Sequence, residues 1–243
     1  MSAPTEILCF KTGSFSLVND VLRDVLPPAL PEFQVRWIDV VDDVLRRRPA
    51  LHALAVAEAT ARYARTMLAL KLPPLAFLPR TRAFAAALRD WTSRNLSAER
   101  TACTFQTQSL FDASRPGLRH FVYTDHTYLA NLRYPQPKPL LPTSAAWRQI
   151  ERGLYQRATV NFTTSTFAGR SIIEDYGVPA ARVACVFSGI NIPPPGEASL
   201  RRSGPEKIIF VGVDWERKGG PELAAAFAEI AGEFPSAELH IIG

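Results

Sequence analysis

The residues best suited to chemistry stand late in the chain, where Arg217 and Lys218 run directly into Gly219, Gly220 and Pro221. They follow the apolar run Lys207 to Val211, which reads as a buried strand, and precede an apolar stripe at helical spacing. Proline suits a first helical turn, because its missing N–H would be unpaired there anyway. Free amides and the positive end of the helix dipole would then point outward beside two cations, an arrangement that suits an anion such as a diphosphate. The glycines let backbone approach a phosphate closely. The competing reading is a plain strand-to-helix loop whose cations are solvated.

A second candidate is Tyr123-Thr124-Asp125-His126-Thr127, where a carboxylate and an imidazole adjoin at the end of the run His120 to Thr124. Open α/β sheets gather ligands at the carboxyl ends of their strands. The alternative is that Asp125 caps the next helix and His126 is a surface residue. A third is Lys11-Thr12-Gly13-Ser14 after the first apolar run, where Gly13 is either a ligand loop or simply a turn. Ser188-Gly189-Ile190-Asn191 shapes a domain crossing, and Asn191 is placed near a cleft. No G-x-G-x-x-G fingerprint and no P-loop pattern occurs.

These segments need a scaffold, and the chain reads as alternating strands and helices. Strands are expected at Ile7 to Phe10, Phe33 to Val40, Cys103 to Gln106, His120 to Thr124, Val160 to Thr164 and Arg182 to Phe187. In the last of these, Val183, Cys185 and Phe187 share one side. Helices are expected around Leu17 to Leu26, Ala50 to Met67, Thr81 to Asn95 and Ser144 to Ala158. A further helix is capped by Ser165, with Ala168, Ile172 and Tyr176 on one face, and is stopped by Gly177 and Pro179. Such alternation predicts a parallel sheet covered by helices. The first domain is expected over residues 1–192 and a proline-rich linker over 193–206. A partial second domain follows over 207–243, with Leu223, Phe227, Ile230 and Phe234 as its helical stripe. A strand-helix-strand unit of that size cannot cover both faces of its sheet, so this domain reads as incomplete.

Composition narrows the classes. The chain has 243 residues, 47% hydrophobic and 21% charged, a globular balance, and its net charge of +5 favours anionic partners. Cys9, Cys103 and Cys185 each sit in an apolar run without a CxxC pair or a histidine cluster, so neither a disulfide framework nor a metal site is expected. No secretory signal is evident, and Glu58, Arg62, Arg65 and Lys71 interrupt the alanine-rich stretch that would otherwise suggest a membrane span. A cytoplasmic protein is expected, with peripheral membrane contact left open. Trp37, Trp91, Trp147 and Trp215 are not interleaved with a compact basic run, so no nucleic-acid partner is expected.

The segment from Phe210 to Pro221 resembles the opening of the nucleotide-sugar domain in glycosyltransferase family 4. Tyr176-Gly177-Val178-Pro179, Arg182-Val183 and Gly189-Ile190-Asn191 resemble the family's stretch at the end of its first domain. The resemblance implies the α/β GT-B fold of two Rossmann-like domains. It also implies transfer of a sugar, a hexose among the candidates, from a nucleotide-diphosphate donor to an acceptor hydroxyl with retention of configuration, and no metal or other cofactor. The donor sugar, its base and the acceptor (a glycan, a lipid-linked or a small molecule) stay open. By the resemblance Lys218 contacts the diphosphate beside Gly219. Val213 stands where the family usually has an arginine, which makes Arg217 the replacement. His126 contacts the transferred sugar, Asp125 orients it or holds an acceptor hydroxyl, and Gly13 lies near the phosphates. The family's paired-glutamate motif is not in this sequence, so little or no transfer by this polypeptide alone is expected. A non-catalytic binding module with a GT-B-like half, or a sugar-nucleotide epimerase of the same fold, are the alternatives.

Overall fold

A computed structural model describes residues 5–15, 17–133, 142–189 and 206–243. These fall into two compact units, 5–189 and 206–243. All but Glu206 of the expected linker lies outside the described residues.

The first unit is built on a six-stranded, wholly parallel sheet. Its elements run β1 (Glu6–Lys11), α1 (Val18–Ala29), β2 (Gln34–Asp39), a wide helical turn Val40–Leu45, α2 (Pro49–Leu70), a tight helical stretch Pro74–Arg80 and α3 (Arg82–Asn95). They continue with β3 (Thr101–Thr107), β4 (His120–Thr124), α4 (Tyr128–Arg133), α5 (Ala145–Arg157), β5 (Val160–Thr163), α6 (Thr166–Glu174) and β6 (Val183–Cys185). The strands lie in the order β2-β1-β3-β4-β5-β6. The chain therefore leaves β1 toward β2 and later returns to place β3 on β1's other side.

β1 is buried on both faces, with Ile7, Leu8, Cys9 and Phe10 all at or below 6% exposure. That is the expected state of an interior strand in a parallel sheet. One face carries most of the covering helices. Leu8, Phe10 and Ile38 meet Phe84, Ala87 and Leu88 of α3, and Val122 meets Leu154 and Tyr155 of α5 and Ile172 of α6. Near the first strands α1 covers the other face, where Asn19 bonds Thr107 and the Arg23 guanidinium lies over the Trp37 ring. Farther along that face Phe121 and Phe162 stack at 6.2 Å and remain half-buried.

Caps set the helix starts where the sequence places them. The Thr81, Ser144 and Ser165 hydroxyls accept the amides of Phe84, Trp147 and Ala168, each satisfying a donor that the first turn leaves open. After α6, Gly177 takes a φ of +70°, the left-handed conformation that turns the chain toward β6. The strand expected to reach Phe187 ends at Cys185, because Phe187 adopts φ +58° and turns outward, 62% exposed.

The second unit comprises β7 (Lys207–Val211), α7 (Gly220–Ile230) and β8 (Glu238–Ile242), with β7 and β8 parallel. Leu223 and Phe227 are half-buried, whereas Phe234 lies beyond the helix end and is 54% exposed. Ile209, Val211 and Ile241 are likewise more than half exposed in this pair of strands.

Candidate functional site

The order β2-β1-β3 puts the topological switch between β1 and β3, where neighbouring connections leave in opposite directions and open a crevice at the carboxyl ends of the strands. The Gly13 loop lies at that point. Gly13 itself (φ +61°), Phe15 and Leu17 all adopt left-handed backbone. The Gly13 carbonyl accepts Asn19 Nδ2 at 2.9 Å, and Asn19 Oδ1 accepts the Thr107 hydroxyl at 2.7 Å. The buried Asn19 side chain thus ties the loop after β1 to the end of β3. Lys11 Nζ bonds Asp39 Oδ2 at 3.0 Å, joining the ends of β1 and β2 with both side chains less than a fifth exposed. Burial opposes ionisation of Asp39, but the ammonium of Lys11 and the amides of Val41 and Asp42 outweigh it and hold the carboxyl below its ordinary value.

One strand further on, β4 delivers Asp125 and His126. Asp125 Oδ1 lies 2.6 Å from His126 Nδ1, and both side chains are 46% exposed. Helix α4 is capped not by Asp125 but by Thr127, whose hydroxyl accepts the Ala130 amide at 3.0 Å. Asp125 is thereby left to the imidazole. Burial lowers the His126 pKa, yet the hydrogen bond and charge of Asp125, helped by Glu151, outweigh it and raise the pKa above its ordinary value. With Nδ1 fixed by the carboxylate, Nε2 is the ring nitrogen available to a ligand.

Beneath this pair lies a group that sequence patterning gave no reason to select. Glu151 on α5 is 1% exposed. It accepts the Tyr128 amide at 3.0 Å, the Ser109 hydroxyl at 3.2 Å and the Tyr176 hydroxyl at 2.5 Å. Burial pushes its carboxyl above the ordinary value despite these donors. The Tyr155 hydroxyl and the Thr124 hydroxyl both donate to the His126 carbonyl, at 3.4 and 2.8 Å. The histidine backbone is therefore held from below by a buried polar network. Its partners lie 23 to 42 residues away, so no local pattern marks it.

In the second unit Gly212 follows β7, and a Cβ there would meet Lys218 Cγ at 3.2 Å, so the lysine stem runs along the glycine. The Trp215 ring covers Gly220, where a Cβ would fall 2.1 Å from the indole. Gly219 precedes the helix with φ +79°. The Gly220 amide donates to the Trp215 carbonyl and the Leu223 amide to the Gly219 carbonyl, while Pro221 has no N–H. Of the first-turn amides this leaves that of Glu222 without a backbone acceptor among the described residues. Arg217 Nε lies 3.5 Å from Asp214 Oδ2, so this guanidinium is engaged inside the loop. Lys218 is exposed and forms no ion pair among the described residues. Asn191 lies outside the described residues.

Among the described residues no group of three or more histidine, cysteine or acidic side chains is arranged to hold a metal ion, and no helix is long and apolar enough to cross a membrane.

A six-stranded parallel sheet flanked by helices, with its polar groups at the carboxyl ends around a switch point, defines a Rossmann-like unit of the GT-B kind. The family model described as Glycosyltransferase Family 4 matches residues 41–192, and the chain belongs to that family. A comparison with curated proteins gave no match. The matched stretch includes Asp125, His126 and Glu151, whereas Gly13 and the loop of Arg217, Lys218 and Gly219 lie outside it.

Proposed function

We propose that the chain serves glycosyl transfer from a nucleotide-diphosphate sugar to an acceptor hydroxyl, with retention and without a metal. The observation that carries this reading is the Asp125–His126 pair at the end of β4, next to the switch point and within the stretch matched to the family. In this reading His126 Nε2 hydrogen-bonds the transferred sugar, and Asp125 fixes the ring so that Nε2 faces the ligand. Departure of the nucleoside diphosphate builds negative charge on its phosphates. A cation already in place stabilises that charge most effectively. Lys218 is the candidate, because among the described residues its ammonium forms no ion pair whereas Arg217 already pairs with Asp214. The Gly13 loop, at the switch point of the first unit, offers backbone to a donor phosphate. The acceptor is left unspecified, since the loops that would select it vary freely on this fold.

The test reads a single ring. UDP-glucose and GDP-mannose are titrated into the protein while the Cε1–H resonances of its histidines are followed, with His126→Asn supplying the assignment. At least one of these sugars is expected to shift the His126 resonance, and Lys218→Ala to weaken that titration about tenfold, the scale of one lost charge-assisted contact. Saturating concentrations that leave the His126 resonance unmoved would overturn the proposal. A coupled assay for nucleoside diphosphate release, with simple glycosides as acceptors, then tests transfer itself.

A further inference from the structure

The crossover from β3 to β4, residues 108–119, contains no helix. A crossover helix would normally fill the space between its neighbours on the sheet face. Here that space, between α3 and α5, remains open as a cavity of about 480 Å³. This is the size of a small-molecule pocket. Its walls are apolar, formed by Phe84 and Leu88 of α3, Phe111 of the crossover and Ile150 of α5.

The polar groups in these walls are unbalanced. Arg89, Arg115 and Arg157 line the cavity against one carboxylate, Asp112. Asp112 is already taken, since it pairs with Arg157, whose Nε also donates to the Ser114 hydroxyl at 3.1 Å. Among the described residues Arg115 has no such partner. Its Nη1 is shielded from solvent and makes no hydrogen bond among the described residues. Arg89 is exposed and forms no ion pair among them. The cavity wall thus carries guanidinium charge beyond what Asp112 balances, and an anion entering the cavity would offset it.

We infer that this cavity is a second small-molecule site, one that takes a carboxylate or phosphate carrying an apolar ring or short chain. The acid group sits on Arg115, with Arg89 at the rim, and the apolar body lies between α3 and α5. The site is separate from the Asp125–His126 pair. Arg157 ends α5 just before β5 begins, so the charged end of the cavity lies toward the amino ends of the strands, whereas that pair stands at their carboxyl ends and neither of its residues lines the cavity. The inference does not depend on the sugar-transfer reading.

The experiment is calorimetric titration of the whole chain with 4-phenylbutyrate and phenyl phosphate, alongside the uncharged 4-phenylbutanamide and inorganic phosphate. One or both aryl acids are expected to bind, and whichever binds tighter identifies the acid group. The amide and inorganic phosphate should each bind at least tenfold more weakly, and Arg115→Gln should weaken the aryl acid at least tenfold. Ala85→Trp, which plugs the same cavity from α3 without removing a charge, should abolish binding, and His126→Asn should leave it unchanged. Equal binding of acid and amide, equal binding of inorganic phosphate, no binding by either aryl acid, or an Arg115→Gln variant with undiminished affinity would each overturn the inference.

Discussion

Removing the Glu151 carboxylate is expected to destabilise the first unit severely. Three donors from three parts of the fold converge on it: the Ser109 hydroxyl from the β3–β4 crossover, the Tyr128 amide from the start of α4 and the Tyr176 hydroxyl from beyond α6. Glu151→Ala leaves all three without an acceptor in a place water does not reach. Each orphaned buried donor costs roughly 1–3 kcal/mol, and because neighbouring losses are not additive the expected total is about 4 kcal/mol. Glu151→Gln should behave differently. Its carbonyl oxygen still accepts from Tyr128 and Ser109, and its amide can donate to the Tyr176 oxygen in place of accepting from it. Burial raises the Glu151 pKa above its ordinary value near 4.5, so folding favours the protonated form. The stabilisation from this group is complete below pH 4.5 and is lost as pH rises through the raised value. The glutamine variant, with no proton to lose, should lack that decline and gain on the wild type as pH rises. Urea unfolding in a Trp215→Phe background reports on the first unit through Trp37, Trp91 and Trp147. The midpoint should fall in Glu151→Ala with an unchanged denaturant slope. A loss below about 1 kcal/mol would refute the network's importance. A glutamine variant that keeps the wild-type pH slope would refute the linkage.

Two further outcomes follow from the sites. Asp125→Asn should move the His126 titration midpoint downward, because burial, which lowers the pKa, would no longer be outweighed by a neighbouring carboxylate; NMR titration of the ring reads this directly, and an unmoved midpoint would separate the two residues in solution. Gly220→Ala drives a methyl group into the Trp215 indole. It should cost the second unit about 2 kcal/mol, typical of overpacking, visible as earlier unfolding by Trp215 fluorescence.

Local signals carried most of the architecture. Strand β4 runs over the residues its apolar pattern marks, and Ser144 and Ser165 cap helices as their hydroxyls suggest. The stretch Pro74–Arg80 was not legible, because its prolines break the periodicity of helix and strand alike. Phe187 continues the alternation of Val183 and Cys185 in sequence, but a left-handed turn takes it out of the strand. In the candidate site Asp125 and His126 were visible because they are adjacent at a strand end. The partners that define their surroundings were not. The Lys11–Asp39 contact spans 28 residues and the Ser109–Glu151 contact 42, and no local pattern encodes which distant side chains will meet.

The placement of β1 between β2 and β3 bears on how the chain is made. β1 leaves the ribosome long before one of its flanking strands, β3, which begins only at Thr101, after α1, β2, α2 and α3 have been synthesised. Until then Ile7 to Phe10 has an unsatisfied strand edge and water-facing apolar side chains, and closing so long a loop is entropically slow. During translation this segment is therefore the natural client for a holding chaperone, and arrest of synthesis before β3 would leave an aggregation-prone nascent chain.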